Sequence, residues 1–395
     1  MNDFDPTAVL PGPPEPWEEA QTPTLRSGPP FHMTDMIAAE PALAVRILTR
    51  LADPGSDAAR LADAIRSTLV AGEPVVTAGC GTSEHGAQAI AEIIREAADA
   101  AGLPSSAIRS EEAFELSLAP PERGLVIGVT HEGGTVATRE ALRAARDAGR
   151  ATAVITVSRR SPAGSLADIA VETAELDQGW CHTVGYLSPI LAGAAVGAHL
   201  SGRPLEPHAV ERLLADGLQD TATAERMAGG LSDVDRLLVI ASGADRPAGR
   251  ELVIKVEEAS WLPSTYRDLE TVLHGHLPAT GADSGLVLIL TDPERRPERA
   301  VRARQALQAA RVIGLRVGAI LAEGSSEAID PALTPLGRLV VAESPMLPAR
   351  VGTLVSSVTP LQLLTERIAR ARGTNPDLIR RDDDTYRAAA EAAGN

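Results

Sequence analysis

The chain has 395 residues, of which 44% are hydrophobic but only 2% aromatic, and its net charge is −16. That length accommodates two or three domains with sizeable cores, and those cores must be built of Val, Ile, Leu and Ala, which suits helices packed on a parallel sheet. The acidic balance excludes a nucleic-acid partner, which needs a basic surface, but not a phosphorylated small molecule, which needs only a local nest of amides.

Residues 1–32 form a Pro-rich arm. It lacks the basic start and apolar centre of a signal peptide, and such an arm is expected to be mobile or draped on a partner. Met33–Arg50 has a helical pattern. Pro74–Ala78 is strand-like and runs through Gly79-Cys80-Gly81-Thr82-Ser83 into a helical pattern over His85–Ala97. Further strand-like runs follow at Gly124–Thr130, Ala151–Val157 and Asp168–Glu172. Ile190–Leu200 is the longest weakly polar run and reads as too short to span a bilayer. After a Gly/Pro break at Ser201–Pro207 the plan repeats. Leu237–Ala241, Gly285–Thr291, Leu315–Leu321 and Leu339–Glu343 are strand-like, with a helical pattern over Arg250–Glu258 after the first. Matching elements lie roughly 160 residues apart, too long a period for a solenoid and right for a duplicated domain. Gly373-Thr374-Asn375-Pro376-Asp377 stops the last helix, and a charged tail follows at Arg380–Asp384.

Alternation of apolar runs with helical patterns predicts βαβ units: two tandem α/β domains, each a doubly wound parallel sheet between helices, at 33–202 and 203–372, with a tail at 373–395. Ligands of such sheets bind beyond the carboxyl ends of the strands. That singles out the loops Gly79–Glu84 and Thr130–Thr135. The two cysteines, Cys80 and Cys181, make no disulfide framework and point to the cytoplasm.

Lys255 is the only lysine among otherwise Arg-based cations. Arg does not replace Lys where a compact ammonium must fit. Glu251, Lys255 and Glu258 share one helical face, which alone fits either a solvated ion-pair stripe or a site.

With these motifs in order, the sequence resembles the sugar-isomerase (SIS) family. It is most similar to the isomerase half of glutamine–fructose-6-phosphate aminotransferase and to stand-alone double-SIS aminosugar deaminases. Cys80-Gly81-Thr82-Ser83 is the family's CGTS. Thr130-His131-Glu132-Gly133-Gly134-Thr135 falls on its Ser-Gln-Ser-Gly-Glu-Thr. Glu251, Lys255, Glu258 and Ser260, with Trp261 for a Tyr, fall on its Glu-x-x-x-Lys-x-x-Glu-x-Ser-Tyr. His274-Gly275 then lands on its His-Gly, and Met33…Glu40-Pro41 on its lead-in helix.

The resemblance implies two flavodoxin-like three-layer domains and an aldose–ketose isomerase or aminosugar deaminase working through an enediol or enediolamine. It makes Glu258 the base, organised by Lys255 and Glu251. It makes His274 the ring-opening acid, reaching a neighbour's site and so requiring a homodimer. Cys80, Gly81, Thr82 and Ser83, the loop Thr130, His131, Glu132, Gly133, Gly134 and Thr135, and His182-Thr183 would bind the sugar and its phosphate. The partner is a small-molecule sugar; no nucleic acid, membrane, cofactor or metal is expected.

Three departures stand out. Glu132 opposes a phosphate, and an amino group on the sugar would be its natural partner. His276 replaces a proline beside His274. The aminotransferase's C-terminal Schiff-base lysine falls in register with Arg380–Asp384, and no glutaminase domain is visible, so glutamine-dependent amination by this chain alone is not expected. The alternatives are a non-catalytic sugar-binding regulator and a pathway-specific enzyme on an unphosphorylated amino sugar.

Overall fold

The structure, a computed structural model, describes residues 4–14, 16–18 and 22–394. The first half consists of α1 (His32–Leu51), α2 (Asp57–Val70), β1 (Val75–Gly79), α3 (Thr82–Ala100), β2 (Ile108–Glu112), α4 (Ala113–Leu118), β3 (Leu125–Val129), α5 (Val136–Asp147), β4 (Ala151–Thr156), β5 (Ile169–Glu172) and α6 (Val184–Ser201). The second half runs α7 (Pro207–Asp216), α8 (Thr221–Leu231), β6 (Arg236–Ala241), α9 (Arg246–Ser260), β7 (Ser264–Asp268), β8 (Ser284–Leu290), α10 (Arg296–Ile313), β9 (Arg316–Ala322), α11 (Glu323–Ser326), β10 (Gly337–Val341), α12 (Ala349–Ser356), α13 (Val358–Arg372) and α14 (Asp384–Ala393).

Each half holds one five-stranded sheet, ordered β2-β1-β3-β4-β5 and β7-β6-β8-β9-β10. Every pairing is parallel. The two orders are the same once the strands are renumbered, as the repeat predicts. The order turns around between β1 and β3, and again between β6 and β8. Such a reversal opens a crevice at the strand ends. The central strands β1, β3 and β8 are buried throughout, because helices cover both faces.

The edge strands β2 and β7 escape the sequence reading. Their residues, IRSEE and STYRD, are polar and mostly half-buried, so no apolar run marks them. The weakly polar stretch around Ile190–Leu200 belongs to a longer element than predicted. α6 has 18 residues and is long and apolar enough to cross a membrane by length and composition, but it is 83% buried inside the fold. It is a core helix, apolar all round because it has neighbours all round.

Packing does not respect a boundary at 202/203. Ala209, Val210, Leu213 and Leu214 of α7, and Val351, Leu354 and Val355 of α12, sit in the core cluster of the first half. The two halves therefore share one interior.

The described part of the N-terminal arm lies on its own first domain. Leu10 is buried, and its N–H donates to Glu175 Oε2 at 2.8 Å. Leu176 N–H donates to Pro11 O at 2.9 Å. Arg46 grips Glu175 with two bonds, at 2.9 and 2.8 Å, and also donates to Thr7 O. Further along, His32 Nε2 bonds Thr24 O at 3.0 Å and Asn375 Nδ2 donates to Arg26 O at 2.8 Å. The arm is thus held at residues 7–11 and again at 24–26.

Candidate active site

The site begins where β1 ends. A Cβ on Gly79 would collide with the Ser83 carbonyl, and Gly81 has φ +55°. These glycines allow a turn tight enough for Thr82 to start α3 directly. Cys80, Gly81, Thr82 and Ser83 line an open cleft of about 370 Å³. Cys80 Sγ donates to Glu112 Oε1 at 3.3 Å. Burial and the Glu112 carboxylate push the thiol up to about 11, so it is not an activated nucleophile.

α9, from the second half, supplies the facing wall. Its Ile254 and Glu258 line the cleft. Lys255, fully buried, donates to Glu258 Oε2 at 2.6 Å and lies 3.8 Å from Glu251 Oε1. Burial penalises the ammonium, but the carboxylates Glu258 and Glu251 outweigh that penalty and hold it above the ordinary lysine range. Glu251, also fully buried, accepts from His85 Nδ1 at 2.7 Å and Thr82 Oγ1 at 3.3 Å. α9 of the second half is thereby bonded to the start of α3 in the first half. Glu251 and Lys255, both fully buried, and Glu258 at the cleft wall are thus a linked triad rather than a solvated stripe.

Thr130, His131, Glu132, Gly134 and Thr135 line the cleft between β3 and α5, and His182 completes that side. Thr130 and Thr135 hydroxyls are 3.2 Å apart. His131 and His182 meet edge to face at 5.4 Å. Burial lowers both imidazoles to about 3, helped by His182 beside His131 and by Lys255 near His182. Both rings are therefore neutral at physiological pH. His131 Nε2 accepts from the Asp177 amide at 2.9 Å, so its proton sits on Nδ1. Asp177 is structural: its carboxylate accepts from the amides of Gly179, Thr183 and Gly185.

Besides Glu251 and Lys255, which are buried behind Glu258, three predicted residues do not reach the cleft wall. Gly133 (φ +82°) faces backwards, where a Cβ would strike Ser161. Thr183 is buried at the start of α6, its carbonyl accepting from Gln362 Nε2 at 3.2 Å. His274 is 70% exposed and bonds Glu270 at 2.6 Å, outside the cleft of its own chain.

Other residues enter unforeseen. Trp17, Trp180, Ile379 and Arg381 all line the cleft, and His85 anchors Glu251. Asp377 organises the tail. It accepts from the amides of His32 and Met33 at the start of α1, and its carbonyl accepts from Trp180. The Arg381 guanidinium lies over the Trp180 ring at 5.0 Å, and Arg380 lies over Trp261 and Tyr386. The register that placed the aminotransferase's lysine near Arg380–Asp384 is the one signal that pointed to Arg381.

The repeated five-stranded parallel sheet, with a cleft between the Cys80–Ser83 turn and the Glu-Lys-Glu face of α9, has the fold that the sequence resemblance implied. No family model matches the chain. Its sequence is 26% identical over 314 residues to the glutamine–fructose-6-phosphate aminotransferase (isomerizing) of Methanothermobacter thermautotrophicus, covering 77% of this chain and 50% of that protein. The chain spans about half the length of the curated relatives it matches. In structure it is similar to the C-terminal domain of the glucosamine–fructose-6-phosphate aminotransferase of Francisella tularensis (TM-score 0.76, 17% identity, 90% of this chain and 99% of that one). It is also similar to the tagatose-6-phosphate ketose/aldose isomerase of Escherichia coli (TM-score 0.68, 17% identity, 91% and 97%).

Proposed function

We infer that this chain moves a proton between C1 and C2 of a sugar, as an aldose–ketose isomerase or an aminosugar deaminase. The observation that carries the reading is the Glu258–Lys255 pair, a cleft carboxylate held at 2.6 Å by a fully buried ammonium. A planar enediol needs one base that serves both carbons from one face. Because Lys255 takes Oε2, Oε1 is the oxygen left to work on the sugar. The Glu251 bonds to His85 and Thr82 fix this base relative to the turn that would hold the sugar, and such positioning lowers the barrier.

Ring opening needs a proton donor. His131 and His182, held near 3, are poor candidates at neutral pH. The reading therefore gives that step to His274 of a second copy, in a homodimer with shared sites. The names of the relatives put fructose 6-phosphate and tagatose 6-phosphate among their substrates. A sugar of that size suits the inner cleft.

The test is exchange in D2O, followed by NMR, of the proton that moves between the two carbons: at C1 of fructose 6-phosphate and at C2 of glucosamine 6-phosphate and glucosamine. Glu258→Gln is expected to slow exchange by roughly two to four orders of magnitude while binding survives. Mixing Glu258→Gln with His274→Ala subunits should restore part of the activity. Full activity of Glu258→Gln overturns the assignment of the base. The exposure of His274 on its own chain favours a second reading, sugar binding without turnover. Persistent binding with no exchange for any sugar would select it.

A further inference from the structure

Among the described residues, Arg381 is the one lysine or arginine in the wall of the cleft. Lys255 lies behind that wall and is engaged by Glu258. The Thr130–Thr135 loop brings no positive charge. His131 and the neighbouring His182 are held near 3 and are neutral, and Glu132 is already engaged.

Arg381 is fixed in place without being paired. Just before it, Ile379 has φ +44° and Arg380 φ +66°, a left-handed backbone that side chains with a Cβ adopt only where the surroundings enforce it. The surroundings do so from both sides. Buried Asp377 accepts the His32 and Met33 amides at 3.0 and 3.1 Å, and its carbonyl accepts the Trp180 amide at 2.9 Å. Arg380 lies over the Trp261 and Tyr386 rings at 4.3 and 3.8 Å. Arg381 donates its amide to Leu378 O at 2.8 Å and lays its guanidinium over Trp180 at 5.0 Å. Such stacking uses the face of the guanidinium and leaves its N–H edge free. Two of the acidic residues that follow are turned to other work: Asp383 caps α14 and Asp384 bonds Arg387. Among the described residues the Arg381 guanidinium has no ion pair and no hydrogen bond. A preset fork of donors with no acceptor, at the wall of a ligand cleft, fits an oxyanion.

We propose that Arg381 receives the terminal phosphate of the substrate, so that the anionic end of the sugar lies at the C-terminal tail and not in the Thr130–Thr135 loop. This rests on the sugar-isomerase reading above. It adds the residue that selects a phosphorylated sugar over a free one, and it orients the substrate, with C1 and C2 at Glu258 and the phosphate at Arg381. Because Arg380 stacks on Trp261 at the end of α9, receptor and base are tied to one helix.

Calorimetry on the full chain tests this, with glucosamine and glucosamine 6-phosphate as paired probes. In the native protein the phosphate is expected to tighten binding at least tenfold. Arg381→Gln should bring that ratio down to about threefold or less while glucosamine binds as before. Three results overturn the proposal. Native protein may bind both sugars equally well; Arg381→Gln may weaken both equally, as the loss of a merely structural tail residue does; or the ratio may survive in Arg381→Gln and vanish in Thr135→Val, which removes a loop hydroxyl and keeps the shape. C2-proton exchange separates the two levels. Glu258-dependent exchange with a phosphate ratio indifferent to Arg381 leaves the isomerase reading standing and removes this one, whereas an Arg381-dependent ratio without exchange on any sugar does the reverse.

Discussion

The loop after β1 and its counterpart after β6 start from the same topology and end differently. In the first half, Cys80–Ser83 opens onto a cleft. In the second, the equivalent space is filled by the chain itself. Asp245 is buried and accepts from the amides of Thr291 and Asp292 at 2.8 and 3.1 Å. Asp292, fully buried, takes Arg299 at 2.5 Å, Arg350 at 2.9 Å and the Ala244 amide at 2.9 Å. A Cβ on Gly243 would strike both Arg299 and Asp292. The second copy contributes its helix face, Glu251-Lys255-Glu258, to the cleft of the first. It fills the turn after its own β6 with an ion cluster and keeps only a smaller pocket of about 280 Å³ at the ends of β8, β9 and β10, lined by Thr291, Ala322 and Ala342.

The largest expected effect comes from the open site. Lys255→Ala leaves Glu251 a buried charge without its ammonium. Breaking a buried pair this way costs about 3–5 kcal/mol, to be read by urea denaturation. Lys255→Arg keeps the charge but not the shape, and a planar guanidinium does not fit a seat with no exposure. C2-proton exchange should fall at least tenfold; wild-type stability and exchange in both variants would erase the distinction between the two copies. Next comes the ion cluster after β6. Asp292→Ala removes the acceptor of two guanidinium groups that keep about a fifth of their exposure. The expected loss is about 2 kcal/mol, with sugar affinity unchanged. A change in affinity without a change in stability would mean that the second crevice binds ligand after all.

A further effect is in acid, where the two copies should respond in opposite directions. His131 and His182 sit near 3 in the fold against 6.5 in the open chain. Below about pH 6.5 the unfolded chain takes up protons that the folded one refuses, and stability falls towards pH 3. Asp245, raised by burial from 3.8 to about 6, takes up its proton first in the folded state, so between those values acid stabilises the second half. Urea midpoints at pH 7 and pH 5 should converge in the double variant His131→Asn/His182→Asn and diverge further in Asp245→Asn. Parallel slopes in all three proteins would contradict this opposition.

Much of this was legible in the sequence, because a strand buried on both faces is an apolar run and a duplicated fold repeats its punctuation. The single lysine and the Glu-Lys-Glu spacing fitted a solvated stripe as well as a site, and the family resemblance decided between them. What stayed hidden was what depends on meetings between distant segments. Nothing local in Arg46 or Glu175 announces that they pin an arm more than a hundred residues from one of them. Arg381 and Trp180 look like ordinary tail and loop residues until Asp377 brings them together. The motif match also over-reached where backbone direction decides. Gly133 and Thr183 stand in register yet point away from the ligand space, one for the sake of Ser161 and the other for the capping of α6 by Asp177.

The chain has three tryptophans. Trp17 and Trp180 line the cleft, and Trp261 ends α9 in a left-handed conformation beneath Arg380. Its ultraviolet emission consequently comes almost wholly from the site and its immediate support, with the rest of the fold nearly dark. Any sugar that enters, any shift of the arm and any loosening of the tail will register as a change in colour or intensity, without a dye or a label.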